Sequence, residues 1–281
     1  MADVQSPLRT TLPLLHRRLT AGVVIWLVGF AGLAWVLTVR QPTTMDHRLM
    51  GLAEVGTGVH GAPAALTFLG MWTGMMVAMM FPTVIPMVLA HRMVVQRRGE
   101  GSAPTVAFVA GYLLVWAVAG VVPLAAVVGF SHISATTADG RWLATLAGVI
   151  VGVAGAYQFT RWKAVCLRAC RSPLGFVLTH DFGTGSLGAL RAGVGHGAFC
   201  LGCCWALMTV LVVMGLMNLI WMAALALVFL AEKTWRYGDS LTRVMGTALI
   251  ALGLLLIAFP DLLPTVSGAD PMAPMDGMPG M

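Results

Sequence analysis

The amino-acid sequence predicts an all-α fold, a polytopic transmembrane helical bundle with about seven spans. Hydrophobic residues make up 58% of the 281 residues and charged residues only 10%, whereas a soluble domain carries about a quarter charged residues. The mean hydropathy is +0.86, and the apolar runs reach the ~20 residues that a helix needs to cross a bilayer. This composition excludes a water-soluble domain and predicts a multi-pass protein of the inner (plasma) membrane, in contact with the lipid bilayer.

The first element is a cytoplasmic arm, residues 1–19, which is too polar for a cleavable signal peptide. The apolar spans that follow are residues 20–39, 64–89, 105–129, 142–160, 192–214, 218–235 and 242–259. They form one transmembrane domain, residues 20–260, with a tail rich in methionine and proline at residues 261–281. The fifth and sixth spans are separated by a tight turn, unless they form a single kinked helix.

Basic residues beside the spans set the predicted orientation. The chain has 17 Lys and Arg residues against 11 Asp and Glu residues, a net charge of +6. Bases concentrate in the arm, in residues 91–100 and in residues 161–191, which alternation of the spans puts on one side. By the positive-inside rule, the N-terminus is cytoplasmic and the C-terminus extracytoplasmic. The charge therefore predicts membrane orientation, and we expect no nucleic-acid partner.

Small residues recur four positions apart in three spans. The pairs are Gly70 and Gly74, Gly148 and Gly152, and Gly193 and Gly197. This spacing lets transmembrane helices approach closely, so all three pairs are interpreted as packing positions.

Methionine is concentrated in the second span, in the stretch GMWTGMMVAMMFPTVIPM. Met71, Met75 and Met79 follow one stripe of the helix, and Met76 and Met80 follow a neighbouring stripe. Thioether sulfur is a soft ligand that favours Cu(I), although methionine also fills gaps in helix packing. The clustering predicts either a row of metal ligands or a flexible core.

Two prolines lie in the same span. Because Pro82 and Pro86 have no amide hydrogen, the carbonyls of Ala78 and Pro82 lack their usual helical partners. Such groups are tolerated at membrane depth only where neighbouring groups or a polar cavity satisfy them. The prolines therefore fit an ion path as well as a plain structural kink.

A histidine and three cysteines share one face of the fifth span. His196, Cys200, Cys203 and Cys204 fall within roughly a 100° arc over ~12 Å of helix. Imidazole and thiolate groups suit Cu(I) or Zn(II), while buried cysteine also packs as a small apolar residue. We expect a metal site here, with Cu(I) preferred and zinc as the alternative.

Cys166 and Cys170 repeat the four-residue spacing among basic residues. Nearby positive charge favours thiolates, and the predicted topology puts both residues at the cytoplasmic mouth of the bundle. They are interpreted as an inner transfer or regulatory metal site, or as two free thiols of the reduced cytoplasm.

The C-terminal tail places methionines at every third position, Met272, Met275, Met278 and Met281. A polyproline II helix has three residues per turn, so these thioethers would line one side of an extended tail. The pattern predicts capture of Cu(I) outside the membrane. The outer loop, residues 40–63, offers further candidate ligands, which are Met45, Asp46, His47, Met50, Glu54 and His60.

A few polar groups lie near the predicted inner surface, among them His91 and the adjacent Glu232 and Lys233. They are interpreted as interfacial anchors rather than metal ligands, and Glu232 can alternatively pair with Lys233 inside the bundle.

Three motifs resemble a bacterial family of uncharacterised, predicted metal-binding integral membrane proteins (domain of unknown function 2182). They are MWTGMMVAMMFPTVIP, YQFTRWKAVCLRACRSP and GHGAFCLGCCWALMTVLVVMGLMNLIWM. The resemblance runs from about Met71 to Lys233 and leaves out the N-terminal arm and the methionine tail. It implies a membrane protein that binds a metal, and it supplies no mechanism.

The main functional prediction is capture, transfer or transport of a soft metal by Met, Cys and His ligands, without enzymatic activity and with a membrane or periplasmic partner protein. One alternative is a membrane thiol-disulfide oxidoreductase that uses Cys200 and Cys203 as its redox pair. The other is a non-catalytic membrane subunit whose sulfur residues only pack.

Overall fold

A computed structural model describes residues 6–39, 61–134, 140–179, 184–214 and 219–260. All regular secondary structure in these ranges is α-helical, which confirms the predicted all-α class. The helices are α1 (Ser6–Val39), α2 (Gly61–Arg97), α3 (Ala103–Ala119), α4 (Val121–Ser134), α5 (Gly140–Tyr157), α6 (Arg161–Arg171), α7 (Pro173–Thr179), α8 (Gly185–Met214), α9 (Leu219–Thr234) and α10 (Gly238–Ala258).

Five helical segments are long and apolar enough to cross a membrane. They are Ala21–Val39, Ala65–Arg97, Ala103–Ala126, Gly185–Val213 and Gly238–Ala258. These segments match the first, second, third, fifth and seventh predicted spans. The fourth and sixth predicted spans correspond to α5 and α9, whose apolar parts are shorter, so the seven-span topology stays a prediction. The turn predicted between the fifth and sixth spans, at 215–218, lies outside the described residues.

Helix α2 is continuous over 37 residues although it contains Pro82 and Pro86. The carbonyl of Ala78, which Pro82 leaves without its helical donor, accepts a hydrogen bond of 3.1 Å from the indole Nε1 of Trp35 on α1. A neighbouring helix therefore supplies the missing donor, as membrane-embedded backbone requires.

Glycine allows two pairs of helices to pack backbone against backbone. At the α3–α8 contact, a Cβ added to Gly193 would collide with the carbonyl oxygen of Phe108. At the α5–α10 contact, a Cβ on Gly148 would lie 2.6 Å from the carbonyl oxygen of Gly253. A Cβ on Gly70 or Gly74 would meet no atom within 4 Å, so the predicted close approach does not occur at that pair among the described residues.

Helix α8 lies in the interior and packs against α3, α5 and α6, while α2 packs against α1, α3, α7 and α9. The outer face of α1 carries exposed apolar side chains such as Ile25, Trp26 and Leu37. Apolar side chains on an outer surface are expected where lipid takes the place of water. The fold therefore surrounds the cysteines of α8 with helices on several sides.

Candidate metal centre

The cysteines of α8 lie at the centre of the bundle. Cys200, Cys203 and Cys204 are each at most 1% exposed. The thiol of Cys203 donates a hydrogen bond of 3.1 Å to the carbonyl of Cys200, and its sulfur lies 3.4 Å from that of Cys204. The helical spacing therefore does place these three thiols together inside the protein.

A fourth cysteine reaches this place from another helix. Thr160 caps the start of α6, where its hydroxyl accepts a hydrogen bond of 3.3 Å from the amide of Lys163. Cys170, in the last turn of α6, is buried with its Sγ 3.8 Å from the Sγ of Cys203. The last turn of α6 therefore lies against the middle of α8.

The sulfur atoms of Cys170, Cys200 and Cys203 all lie within 4.8 Å of one another. Because a metal–thiolate bond is about 2.3 Å long, two sulfurs that share one ion stand at most about 4.6 Å apart. A single ion between the three sulfurs needs only small side-chain movements. We call these three residues the thiol triad.

The structure separates the two cysteines that were predicted to form an inner pair. Cys170 belongs to the triad, whereas the half-buried Cys166 packs against α8 at Gly202, where an added Cβ would lie 2.6 Å from its sulfur. Burial raises the pKa of the Cys166 thiol and outweighs the opposing effect of Lys163. Desolvation thus opposes the Cys166 thiolate that nearby bases were expected to favour.

Lys233 contacts the triad directly, so its interpretation as an interfacial anchor is wrong. Its side chain is buried, with Nζ 3.2 Å from the Sγ of Cys200 and 3.1 Å from the hydroxyl oxygen of Thr83. The same Nζ lies 3.9 Å from the Sδ of Met80 on α2. The hydroxyl of Tyr112 lies 3.2 Å from the Cys200 sulfur.

Glu232 pairs with Lys163 and not with the adjacent Lys233. The Nζ of Lys163 lies 2.8 Å from Oε2 of Glu232, and both side chains are 1% exposed. Lys163 also donates a hydrogen bond of 2.6 Å to the carbonyl of Cys203. The hydroxyl of Thr242 on α10 donates a hydrogen bond of 3.0 Å to the other carboxylate oxygen. Through the carbonyl of Cys203, this network holds the backbone of one triad residue in place.

The burial of Lys163 and Lys233 beside the triad was not predicted from the sequence, and Glu232 was placed inside the bundle only as an alternative. A signal for them was present, because ionisable residues inside a membrane bundle are costly and usually functional. They were assigned to the surface because each lies near the end of a predicted span.

His196 lies near the triad but is not among the donors that meet within 4.8 Å of one another. Its ring packs against the rings of Phe108, Tyr112 and Phe176. Its Nδ1 is buried, and no hydrogen-bond partner for it is found among the residues that the structure describes. The structure thus places His196 inside an aromatic enclosure one helical turn before Cys200.

The methionines of α2 point largely into the core. Met75, Met76, Met79 and Met80 are at most 3% exposed, and Met71 is half-buried. Met80 reaches the triad through its contact with Lys233. Met272, Met275 and Met278 of the tail, like the outer loop, lie outside the described residues.

Comparison with known proteins gives one family. A protein-family model described as PpoB2, copper chaperone, matches residues 69–256, which is more than half of the chain. The match supports the predicted relation to a metal-binding family, and the finer family name inferred from the motifs stays a prediction. No curated protein and no solved structure matches the chain.

Proposed function

Because the chain belongs to the PpoB2 copper chaperone family, we propose that it binds Cu(I) at the thiol triad inside the membrane and passes the ion to a partner protein. The family indicates a non-enzymatic metal-handling protein. The observation that carries the proposal is the convergence of Cys170, Cys200 and Cys203, from two helices, to within 4.8 Å in a buried position.

Ligand chemistry favours Cu(I). Thiolates are soft donors that select Cu(I) and Zn(II) over hard cations. A structural zinc site almost always has four protein ligands in a tetrahedron, whereas the triad offers three. Cys204, with its sulfur 3.4 Å from that of Cys203, is the nearest candidate for a fourth ligand. Zinc is therefore the alternative ion.

Charge balance supports a cation at this position. Buried charges are costly unless they are paired. Thiolates of the triad would leave excess negative charge in the interior, and a bound Cu(I) ion together with the buried ammonium group of Lys233 would offset it. The ammonium of Lys163 is already paired with Glu232.

The methionines are proposed as the path by which Cu(I) reaches the triad. Tail residues Met272, Met275 and Met278 would capture the ion, and the α2 methionines from Met71 to Met80 would carry it inward. Thioethers hold Cu(I) less strongly than thiolates, so the ion would move toward the triad. The sequence has no P-loop motif, so onward transfer would depend on a partner or a gradient.

The decisive experiment is metal analysis of the purified protein. After anaerobic loading with Cu(I) and removal of excess ion, wild-type protein should retain copper, and a Cys170→Ser/Cys200→Ser/Cys203→Ser variant should lose most of it. Cys166→Ser is the matched control, because Cys166 lies outside the triad, and it should retain the wild-type amount. Equal copper contents in the wild-type and triple-variant proteins would contradict the proposal.

Zinc is tested in the same preparation. Loading with equal amounts of both ions should give mainly bound copper, since three soft donors lack the fourth ligand of a closed zinc site. Bound zinc in excess of copper would assign the centre to zinc.

A further inference from the structure

The ammonium group of Lys233 contacts two sulfur atoms and one hydroxyl oxygen. Its described partners are the thiol sulfur of Cys200, the thioether sulfur of Met80 and the hydroxyl oxygen of Thr83, on helices α8 and α2. A buried lysine usually lies against a carboxylate, which offsets the cost of removing its charge from water. The two sulfur atoms are instead the donors that a soft monovalent metal ion prefers.

We propose that the Lys233 ammonium occupies an entry position for Cu(I) between Met80 and Cys200, and that the ion reaches the thiol triad by displacing it. This inference rests on the proposed function, which places Cu(I) at the triad. It adds a position that precedes the triad, with Met80 as the donor on one side and Cys200 shared between the two positions.

Geometry supports a direct transfer step. The Met80 and Cys200 sulfurs both contact one nitrogen atom, so they are no further apart than the sum of 3.9 and 3.2 Å. Met80 itself is fully buried. An ion bound at Met80 would therefore lie beside the ammonium of Lys233, which lies between Met80 and the triad residue Cys200.

Charge makes the exchange feasible. The ammonium group and Cu(I) each carry one positive charge, so replacement of one by the other at this position leaves the local charge unchanged. The displaced ammonium stays in the interior, where the thiolates of the triad offset its charge together with that of the ion. The flexible four-carbon stem of lysine lets the head group move while the helix stays in place.

Lys163 provides an internal comparison. It is also a buried lysine near the triad, but its ammonium contacts oxygen atoms of Glu232 and Cys203. Lys163 therefore lies in a fixed ion pair, whereas Lys233 lies among the proposed ligands. The two lysines should have different effects on metal loading.

The test measures the rate of Cu(I) transfer to the protein from a coloured Cu(I)–bathocuproine complex under anaerobic conditions. Lys233→Leu removes the ammonium without adding a sulfur donor, so loading should be about tenfold faster, as expected on loss of a hydrogen bond to a charged group. Met80→Leu removes the entry donor and should slow loading by a similar factor. Cys166→Ser, which lies outside both the triad and the entry position, is the control and should load at the wild-type rate. Lys163→Leu removes the other buried ammonium and should not load faster than wild type.

Each outcome decides the proposal. Faster loading of Lys233→Leu, with slower loading of Met80→Leu, supports it. A Lys233→Leu variant that loads at the wild-type rate or more slowly overturns the entry position but leaves copper binding at the triad intact. A Lys233→Arg variant, which keeps the positive charge, guards against loss of folding and should load no faster than wild type. Wild-type protein that takes up no Cu(I) would overturn this inference together with the proposed function.

Discussion

Lys163 and Glu232, 69 residues apart in the chain, form an ion pair of 2.8 Å inside the bundle. The pair joins α6 to α9, and the same ammonium group donates to the backbone of Cys203 on α8. One buried charge therefore holds together the two helices that carry the thiol triad. Its removal should affect both the stability of the bundle and the geometry of the metal centre.

Replacement of Lys163 by methionine should leave Glu232 as an unpaired buried charge. Loss of one partner of a buried ion pair costs about 3–5 kcal/mol, so the thermal unfolding temperature of the detergent-solubilised protein should fall clearly. A Lys163→Met/Glu232→Gln double variant removes both charges and should recover part of the loss. Additive losses in the double variant would show that the two residues act independently.

Replacement of Cys170 by serine should weaken Cu(I) binding by more than about 100-fold, since loss of a direct ligand should exceed the 10–100-fold effect of an outer-shell partner. Competition with a Cu(I) chelator measures the affinity. Cys166→Ser changes the other cysteine of α6 and should keep the wild-type affinity. A larger loss of affinity in Cys166→Ser than in Cys170→Ser would mean that Cys166, and not Cys170, is the ligand.

Replacement of Trp35 by phenylalanine should destabilise the protein by about 1–3 kcal/mol, because the carbonyl of Ala78 loses its donor in an apolar environment. Pro82→Ala restores an amide hydrogen to α2. On that background, Trp35→Phe should cost much less. Thermal unfolding of the two single variants and the double variant gives the coupling, and the absence of coupling would mean that Trp35 contributes only by packing.

Replacement of Gly193 by alanine should force α3 and α8 apart, since the new methyl group would overlap the carbonyl oxygen of Phe108. Overpacking typically costs 1–3 kcal/mol, and the backbone contact leaves little room for adjustment, so a loss of at least about 2 kcal/mol is expected. Gly74→Ala is the control, because its methyl group meets no atom within 4 Å. Chemical or thermal unfolding should separate the two variants, and equal stabilities would contradict the packing account.

Thiol titration before and after addition of a quinone distinguishes copper handling from thiol redox chemistry. All five cysteines are free thiols in the structure. A copper protein should show the same number of titratable thiols before and after a quinone is added to the metal-free protein, and Cys200→Ser should not alter quinone reduction. Quinone-dependent loss of two thiols would favour the oxidoreductase hypothesis.

Much of the fold could be predicted because the length of an apolar run is a local property of the chain. The five segments that are long and apolar enough to span a membrane match predicted spans. Helices α5 and α9 are not among these segments, because their shorter lengths are compatible with a membrane span or with a buried helix. Helix α8 begins at Gly185, before the predicted start of the fifth span at residue 192, because the segment up to Arg191 was interpreted as part of the cytoplasmic loop.

The candidate site could be predicted only where one helix carries it. Helical periodicity is a local property, so the common location of Cys200, Cys203 and Cys204 followed from their spacing. The approach of Cys170 depends on how α6 turns back onto α8, which spacing along the chain does not determine. The position of Lys233 depends on packing among α2, α8 and α9, and its place near a span end favoured the surface interpretation.

The contact between Trp35 and Ala78 has a consequence for how this protein can change over time. The indole donor at position 35 is needed only because proline at position 82 removes an amide hydrogen from α2. Related chains that carry another amino acid at position 82 would be free to lose tryptophan at position 35. The two positions, on different helices, should therefore covary, and their joint substitution pattern would reveal the α1–α2 contact without any coordinates.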